Sequence, residues 1–321
     1  MRYTQLGQRG PRVSTMGFGA WAIGGMNWGP TDDAVSIRAL NAALDKGVTL
    51  IDTADVYGFG HSEELIAGVI RERGKGNVII ATKAGNDFYN AGDDDDEGYG
   101  PIKQTYTEEY LISAAEKSLK RLGVEALDLL QLHSPDLEKL EREEPWRALE
   151  KLKKDGKILH AGLSIQSFKE TEQAHLLDRH HDLLDVIQVR YNLLEREAEQ
   201  VLFPKALEHG VGVIVRIPLL FGFLTGKFNR DSTFSAEDHR SMNLSPQKLE
   251  KYLTELERIR PLFDHYPDQS MARVSLRFCI SHPACHTAIP GAKTPKQVDE
   301  NAGASDLGPI PEEVLTQYGL R

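Results

Sequence analysis

The stretch "VTLIDTADVYG" (48–58) contains the unit from which the fold can be predicted. It starts as a short apolar run of the kind that forms a buried strand. The run ends on the carboxylate of Asp52, and the phenol of Tyr57 follows it just before a glycine. A core strand that ends on an acid and leads at once to a tyrosine indicates that this end of the strand has a function.

Strand-like runs of the same kind recur along the chain and alternate with segments of helical length. Such alternation predicts parallel strands joined by right-handed crossovers. Eight units favour a closed (β/α)8 barrel, the TIM barrel of α/β proteins, over an open doubly wound sheet. We expect one such domain over residues 1–321, with an N-terminal β-hairpin in "MRYTQL" and "PRVS" at the barrel floor. The eight runs are residues 15–21, 48–54, 77–83, 126–133, 158–164, 184–191, 211–217 and 286–292.

The segments between the runs carry helix signals. Thr31 is a candidate N-cap for a helix in 31–47, and Ser167 and Glu170 have the spacing of a capping box. Gly123 follows an apolar stripe and predicts the end of a helix. The acidic stretch "NAGDDDDEGYG" (90–100) predicts an exposed, mobile loop.

The composition is that of an ordinary globular protein and argues against several classes of partner. Of the 321 residues, 40% are hydrophobic and 27% are charged, and the mean hydropathy is -0.39. The net charge of -10 argues against nucleic acid and anionic membranes as partners. No apolar run resembles a membrane span or a signal peptide. Cys279 and Cys285 are too few for a disulfide framework, so we expect a cytoplasmic protein.

In a barrel of this kind, catalytic side chains come from the C-terminal ends of several strands. In this chain those ends carry Asp52 with Tyr57, then Lys83 and His133. Each alone has a simpler explanation, such as a helix cap, a packed ring, a solvated strand end or a loop hydrogen bond. Three successive ionisable strand ends with a phenol nearby favour catalysis. Further polar residues at the later strand ends are Ser164, Gln188 and Asn192.

The four groups at the first strand ends suit the reduction of a carbonyl; they are Asp52, Tyr57, Lys83 and His133. A phenol with an ordinary pKa of about 10 is a weak acid near neutrality, and a neighbouring ammonium is expected to lower that pKa. A carboxylate would keep the ammonium charged, and a histidine can donate to a substrate oxygen. Such a set makes a proton donor for a carbonyl that is becoming an alkoxide. The missing partner is a hydride source.

The sequence has neither the glycine spacing of a dinucleotide-binding βαβ unit nor a Walker lysine loop. A dinucleotide would instead cross the barrel mouth over "FGFLTGK" (221–227) and "IPGAKTPKQVDEN" (289–301). Both segments follow the last two strands, where such barrels often bind phosphate. Their glycines allow close approach of the backbone, and their lysines supply positive charge.

From about Gly17 to Asn301 the chain resembles the aldo-keto reductase family. "DTADVYGFGHSEELIAGVI" is similar to the family signature with its aspartate and tyrosine, and "IIATKAG" to the lysine strand. "SLKRLGVEALDLLQLHSP" is similar to the histidine strand. "IQVRYNLL", "GFLTGKF" and "IPGAKTPKQVDENAGA" resemble the cofactor segments of bacterial branches with a short C-terminal tail.

The resemblance implies an oxidoreductase that reduces aldehydes and ketones with NADPH or NADH and without a metal. Tyr57 is then the proton donor, Lys83 and Asp52 tune it, and His133 orients the carbonyl. Trp21 joins Tyr57 and His133 as an implied substrate contact. The implied partner is a small carbonyl compound, and nothing in the sequence specifies an oligomeric state.

The implied cofactor is NADP(H), and three positions depart from the family pattern. Ile165 follows Ser164 where asparagine is frequent, Arg216 replaces the tyrosine that stacks on the nicotinamide, and Gln297 replaces a basic residue. A guanidinium plane can still stack on a ring. The implied cofactor-binding residues are Ala20, Trp21, Asp52, Ser164, Gln188, Arg216, Pro218, Leu219, Gly222, Leu224, Gly226, Lys227, Gly291, Lys293, Gln297, Glu300 and Asn301.

Two other functions remain open at the level of the sequence. A regulatory subunit could keep the barrel and its cofactor and act through a partner protein. A lyase could instead form a Schiff base at Lys83. The complete set of four polar groups favours turnover, and the cofactor segments argue against the lyase.

Overall fold

The computed structural model describes residues 1–25, 28, 31–89, 102–235 and 238–321. The loop predicted at 90–100 lies outside the described residues. The strands are β1 (Tyr3–Gln5), β2 (Arg12–Ser14), β3 (Phe18–Gly19), β4 (Leu50–Asp52), β5 (Ile79–Ala84), β6 (Asn86–Asp87), β7 (Lys103–Gln104), β8 (Leu127–His133), β9 (Ile158–Ser164), β10 (Val186–Arg190), β11 (Gly212–Arg216) and β12 (Thr287–Ala288).

Eight of these strands form a parallel sheet in the order β3-β4-β5-β8-β9-β10-β11-β12. The sheet closes on itself, because the Gly17 N–H donates to the Ala288 carbonyl at 2.8 Å and Gly19 bridges Gly291 in parallel. A Cβ atom on Gly19 would lie only 2.7 Å from the Ile289 carbonyl oxygen, so this seam requires glycine. The eight predicted strands and the barrel are confirmed.

Helices follow most of the barrel strands, and Gly123, at φ +67, ends the helix Glu108–Leu122 as predicted. No helix within the described ranges has the length and apolarity to cross a membrane. Single 3₁₀ segments lie at Trp21–Gly24, Glu197–Glu199 and Leu220–Thr225. The helices are α1 (Asp33–Asp45), α2 (His61–Arg73), α3 (Glu108–Leu122), α4 (Leu137–Leu140), α5 (Glu144–Lys154), α6 (Glu170–Gln173), α7 (His175–His180), α8 (Leu202–Glu208), α9 (Arg240–Asn243), α10 (Pro246–Asp264), α11 (Met271–Cys279), α12 (Pro295–Leu307) and α13 (Glu312–Gln317).

Two predicted helix caps are wrong. Asp32, rather than Thr31, caps α1, because its carboxylate accepts a hydrogen bond from a backbone N–H of the first turn at 3.0 Å. The capping box at Ser167 and Glu170 does not form, since α6 begins at Glu170 itself. The Ser167 hydroxyl instead accepts a hydrogen bond from the Arg216 guanidinium at 2.8 Å. The Ser167 hydroxyl, which the local sequence pattern predicted to be a helix cap, therefore binds the Arg216 side chain at the barrel mouth instead.

The N-terminal hairpin closes the barrel floor, as predicted. β1 and β2 pair in antiparallel register, and Leu6 and Val13, at 0% exposure, point into the barrel. Because strand side chains alternate between two faces, one inward residue of each strand can meet them in a single layer. Their partners in this apolar cluster are Leu50, Ala81, Leu129, Val186, Ile214 and Ile289.

The short antiparallel pair β6–β7 was not predicted from the sequence. It follows β5 through Gly85, whose φ is +134, and a Cβ there would lie 2.2 Å from the ring of Tyr106. Tyr106 in turn donates from its hydroxyl to the His133 carbonyl at 2.6 Å. The pair thus extends the barrel rim above β5 and β8.

The floor layer makes a prediction about stability. Leu6→Ala should lower the free energy of unfolding by about 2–4 kcal/mol, because it removes buried methyl groups and leaves a cavity. Leu207→Ala is the control, since Leu207 is 50% exposed and its truncation should cost less than about 0.5 kcal/mol. Urea unfolding of both variants measures the difference. Equal losses would show that the hairpin does not support the barrel.

Candidate active site

The inward-facing side chains become polar one layer above the floor. Because side chains alternate along a strand, the residue two positions further on again points into the barrel. These positions lie near the C-terminal ends of the strands, at the barrel mouth. They are occupied by Asp52, Lys83, Gln131, Gln188 and Arg216, each two residues beyond a member of the apolar floor cluster.

A buried ion pair lies at the centre of this layer. The Lys83 Nζ donates to Asp52 Oδ2 at 2.7 Å and to the Thr53 carbonyl at 2.8 Å. Gln188 Nε2 donates to Asp52 Oδ1 at 2.6 Å, and Gln131 Nε2 approaches the same oxygen at 3.4 Å. The side chains of Lys83 and Asp52 are only 1% and 4% exposed. Four strands therefore contribute donors or acceptors to one buried salt bridge.

The ion pair determines the charge of the lysine. Burial alone would lower the pKa of Lys83, but Asp52 and then Tyr57 raise it above its ordinary value. Lys83 is therefore a charged ammonium near neutral pH. It does not line the cavity described below, so a substrate carbonyl has no direct access to its amine.

Tyr57 lies directly above the ammonium. The Lys83 Nζ is 5.1 Å from the centroid of the Tyr57 ring, and the Tyr57 and His133 rings are 5.8 Å apart at an angle of 80°. Burial raises the pKa of Tyr57 above its ordinary value and outweighs the lowering by Lys83 and Arg216. The sequence led us to expect a lowered pKa. The structure reverses that direction, because the phenol is buried as well as close to a cation.

His133 is neutral and offers one donor. Burial holds its pKa well below the ordinary value, and the positive charges of Lys83 and Arg216 add to the effect. Its Nδ1 is buried and has no hydrogen-bond partner among the described residues. A proton on Nδ1 would be a buried donor without an acceptor, so the tautomer with the proton on Nε2 is favoured. Nε2 is therefore the ring nitrogen that can donate into the cavity.

A cavity of about 570 Å³ opens above these groups at the C-terminal end of the barrel. It is continuous from Tyr57 and His133 to the segments after β11 and β12. The structure brings most of the residues implied by the sequence to this one cavity. Those that line it are Trp21, Asp52, Tyr57, His133, Ser164, Gln188, Arg216, Pro218, Leu219, Gly222, Lys227, Gly291, Lys293, Gln297, Glu300 and Asn301.

Three of the implied cofactor residues do not line the cavity. Ala20 and Leu224 are fully buried, and Gly226 packs so closely on Met271 that a Cβ would lie 2.6 Å from its sulfur. These residues shape the neighbouring turns. Asn192 does not line the cavity either, and its amide donates to Glu195 at 2.8 Å.

Arg216 is held at the mouth by two hydrogen bonds. One of its terminal nitrogens donates to the Ile165 carbonyl at 2.9 Å and to the Ser167 hydroxyl at 2.8 Å. Its Nε is buried and has no partner in the described part of the chain. Burial, followed by the nearby charge of Arg190, lowers the pKa of Arg216. The guanidinium still carries its charge and lines the cavity beside Ser164.

The far end of the cavity is positively charged. Lys227, Arg240 and Lys293 all line it, and the Lys293 Nζ donates to the Trp28 carbonyl at 2.7 Å. Burial and then the charge of Arg240 lower the pKa of both Lys227 and Lys293. The sequence analysis missed Arg240, because it lies in a segment without strand or motif. Its charge is partly compensated by a salt bridge to Asp238.

Other cavity residues come from the rim near Tyr57. Trp21 lies 6.1 Å from the Tyr57 ring, and Trp28 packs edge-on against Trp21. The aromatic residues Phe88 and Tyr89 follow β6 and do not line the cavity. Rim residues that the sequence analysis missed include Ala22, Val56, Asn86, Ile102 and Ser134. Ser134 has a positive φ of 53 directly after His133, which no sequence signal indicates.

Comparison with known proteins identifies the family of this arrangement. The model of the Aldo/keto reductase family matches residues 15–318. The aldo-keto reductase YhdN of Bacillus subtilis is 34% identical over 93% of this chain and 87% of its own length. A probable voltage-gated potassium channel subunit beta of Arabidopsis thaliana is 32% identical over 97% and 93%. The solved glycerol dehydrogenase of Gluconobacter oxydans is 33% identical, with a TM-score of 0.78 over 99% and 96%.

The buried ion pair makes a prediction about stability and pH. Asp52→Asn should lower the free energy of unfolding at pH 7 by about 3–5 kcal/mol, because it leaves the Lys83 ammonium buried and unpaired. In the variant the folded-state pKa of Lys83 falls below its unfolded value. The folded state then binds fewer protons, so the loss should shrink as the pH rises towards 10.

Urea unfolding at pH 7 and 9.5 measures both effects. Asp299→Asn is the matched control, since it removes one partner of the exposed salt bridge with Lys46 and should cost less than about 1 kcal/mol. A stability of Asp52→Asn equal to that of the unsubstituted protein at pH 7 would contradict the prediction.

Proposed function

The chain belongs to the aldo/keto reductase family, and on this premise we propose that it is an NADPH-dependent carbonyl reductase with Tyr57 as its proton donor. The family makes it an oxidoreductase of carbonyl compounds that uses a nicotinamide cofactor. The observation that carries the finer proposal is the charged Lys83–Asp52 pair beneath Tyr57, with a neutral His133 beside the phenol in the same cavity.

Each side chain has a defined part in the reduction. A reduced nicotinamide supplies the hydride when it is bound. His133 donates from Nε2 to the substrate oxygen and orients the carbonyl. Tyr57 transfers its phenolic proton to the oxygen as negative charge develops there. Lys83 stabilises the phenolate that remains, and Asp52 keeps Lys83 charged.

The cavity fits a nicotinamide dinucleotide. Arg216 has a buried Nε with no partner in the described part of the chain and a guanidinium plane that can stack on a ring. Ser164 is close enough to Ser134 to share a hydrogen bond at 3.1 Å, and its hydroxyl can also face a carboxamide. Gly222 has a φ of +89, so the turn after β11 needs a residue without a side chain next to the ligand.

The charges favour the phosphorylated cofactor. Lys293 is the principal cation for the 2′-phosphate, because Arg240 is already paired with Asp238. The Lys293 N–H is tied to Gln297 Oε1 at 2.7 Å, which fixes the loop. The segment 289–298 contains no acid that would bind a ribose hydroxyl and repel a phosphate. Lys227 supplies charge for the bridging phosphates.

A regulatory subunit that acts through a partner is the second candidate. The relative named as a probable potassium channel subunit covers almost the whole chain, so the fold is compatible with that role. The complete catalytic set favours the enzyme, and steady turnover of a simple aldehyde distinguishes the two. A lyase is disfavoured, since a Schiff-base lysine must be neutral and accessible, whereas Lys83 is charged and 1% exposed.

The cysteines support a reducing compartment such as the cytoplasm. Cys279 and Cys285 are both free and buried. Burial raises the pKa of Cys285 well above its ordinary value, so the thiol stays protonated and unreactive.

Tyr57→Phe should lower kcat for aldehyde reduction by about 10²–10⁴-fold, because only the proton donor is removed. The dissociation constant for NADPH should change by less than about twofold. Since the pKa of Tyr57 is raised, the phenol keeps its proton through neutral pH. Reduction by the unsubstituted enzyme should therefore not fall between pH 6 and 9 through ionisation of Tyr57.

Single-turnover kinetics and cofactor titration measure these effects. Tyr3→Phe is the control, since Tyr3 is an exposed phenol at the opposite end of the barrel. A Tyr57→Phe variant that kept most of its kcat would contradict the role of Tyr57 as acid.

NADPH should bind about ten- to hundredfold more tightly than NADH, because one charge-assisted hydrogen bond contributes about 1.5–3 kcal/mol. Lys293→Ala should remove most of this preference by weakening NADPH alone. Lys296→Ala is the matched control, because Lys296 is an exposed lysine of the same segment that does not line the cavity.

Fluorescence titration with both cofactors at two salt concentrations measures the preference. The salt dependence of NADPH binding should also weaken in Lys293→Ala. Equal affinities of the unsubstituted protein for NADPH and NADH would contradict the proposed cofactor.

A further inference from the structure

We propose that Arg216 makes the site select the reduced cofactor, so that NADP⁺ is bound weakly and leaves after each turnover. This inference rests on the proposed function, since it concerns the cofactor of the same site. It adds discrimination between two oxidation states to the cofactor contact proposed above. Three features of Arg216 support it: its place beside the reacting groups, the neutral acceptors that hold it, and the absence of a compensating charge among the described residues in contact with it.

Arg216 belongs to the part of the cavity where the reaction would occur. It ends β11 and lines the cavity together with His133 and Ser164. A guanidinium nitrogen of Arg216 donates to the carbonyl of Ile165, directly after Ser164, at 2.9 Å. The hydroxyl of Ser164 lies 3.1 Å from that of Ser134, which directly follows His133. Short contacts along the rim thus link the guanidinium to the segment that carries His133.

The charge of Arg216 acts on both side chains that would contact the reacting oxygen. Burial raises the pKa of Tyr57, and the charges of Lys83 and Arg216 oppose this rise. Burial lowers the pKa of His133, and the same two charges lower it further. Hydride transfer to the carbonyl carbon requires the nicotinamide ring to adjoin that carbon. The ring is therefore within reach of a charge that acts on both neighbours of the reacting oxygen.

Neutral groups hold the guanidinium in place. The carbonyl of Ile165 and the hydroxyl of Ser167 accept its hydrogen bonds, at 2.9 and 2.8 Å. Nε is buried without a partner, and no carboxylate of the described residues forms a salt bridge with Arg216. Glu170, whose charge acts on Arg216, is bound instead to the Phe168 N–H at 3.2 Å. It does not line the cavity, so the cation is more exposed to a ligand than this acid is.

The other described charges close to the reacting groups are paired. Lys83 binds Asp52 at 2.7 Å. Arg190 lies opposite Arg216 in the register of β10 and β11, and two of its nitrogens bind the carboxylate of Glu195. The two proposed donors are neutral. Among the described groups around the reaction, the charge of Arg216 is therefore the one without a partner in contact.

The reaction changes the charge of the ring beside this cation. The carbonyl carbon receives a hydride, which is one proton with two electrons, and the oxygen receives the proton of Tyr57. The nicotinamide ring is neutral before this transfer and carries a positive charge after it. A guanidinium can stack on a neutral ring, but it repels a second cation. Arg216 therefore stabilises bound NADPH and destabilises bound NADP⁺.

The two oxidation states differ only in this ring, so their contacts elsewhere cancel in the ratio of their dissociation constants. At the effective dielectric constant of protein sites, two unit charges about 7–10 Å apart change a binding constant by about ten- to hundredfold. We therefore expect NADPH to bind more tightly than NADP⁺ by that factor. The reduction potential of the bound couple would then be about 30–60 mV more positive than that of the free couple, because a tenfold ratio is about 30 mV for two electrons.

The test measures the dissociation constants of NADPH and NADP⁺ by isothermal titration calorimetry at pH 7. Arg216→Gln removes the charge and keeps an amide donor for the two neutral acceptors, so the constants should come within about threefold of each other. Arg216→Lys keeps the charge and should retain most of the ratio. Lys293→Ala is the control, since it should weaken both cofactors equally through their shared 2′-phosphate.

A second pair of variants leaves Arg216 in place. Ser167→Asp puts a carboxylate at a position that already binds the guanidinium, and it should lower the ratio by pairing that charge. Ser167→Asn is the matched neutral control and should keep the ratio. Ser167 itself does not line the cavity. Thermal unfolding verifies that each variant is folded.

Similar dissociation constants of the unsubstituted protein for NADPH and NADP⁺ would overturn this inference. A ratio unchanged in Arg216→Gln would do the same, because the guanidinium would then only position residues 165–167. If Arg216→Gln binds neither cofactor, the Ser167 pair decides, and equal ratios in Ser167→Asp and Ser167→Asn would overturn the inference. These results would leave the proposed function intact, since the titrations need no turnover. Failure of the unsubstituted protein to reduce a simple aldehyde with either NADPH or NADH would overturn the proposed function instead.

Discussion

The buried salt bridge between Lys83 and Asp52 is the interaction on which the site depends. Two charges taken out of water are costly unless further hydrogen bonds satisfy them. Here Gln188, Gln131 and the Thr53 carbonyl provide those bonds. The partners come from β4, β5, β8 and β10 and meet only in a closed barrel. The floor layer and the glycine seam between β3 and β12 are therefore preconditions of the chemistry at the opposite end.

The same ion pair explains why both proposed donors are uncharged. The Lys83 ammonium favours the deprotonated form of any nearby acid. Burial acts with it on His133, so the imidazole is neutral. On Tyr57 the two effects oppose each other. Burial raises the pKa by more than Lys83 lowers it, so the phenol keeps its proton. One buried cation thus leaves two neutral side chains with donors at the cavity. In the proposed mechanism the same cation stabilises the phenolate once the proton has moved.

Regular features of the fold were predictable because they depend on periodicity that the chain repeats eight times. The strands, the hairpin and the convergence of Asp52, Lys83 and His133 follow from apolar runs and from the rule that strand ends share one rim. The failures concern contacts between distant segments. Arg216 takes the hydroxyl of Ser167 and removes the expected capping box. The pKa of Tyr57 depends on how deeply the phenol is buried, which no local pattern reveals.

The residues missed at the mouth divide it into two chemically different halves. Arg240 adds to the cations at the end formed after β11 and β12, where a phosphorylated cofactor is expected. Asn86 lies after β5, and Gln104 Nε2 approaches its Oδ1 at 3.4 Å. Neither residue belongs to a sequence motif. Both lie in segments that connect barrel strands, and such segments vary more in sequence than the strands that hold the catalytic groups. The charge of Arg216 acts on both Tyr57 and His133, while Lys227, Arg240 and Lys293 come from the segments after β11 and β12. Positive charge is therefore concentrated at the end formed by those two segments but is not confined to it.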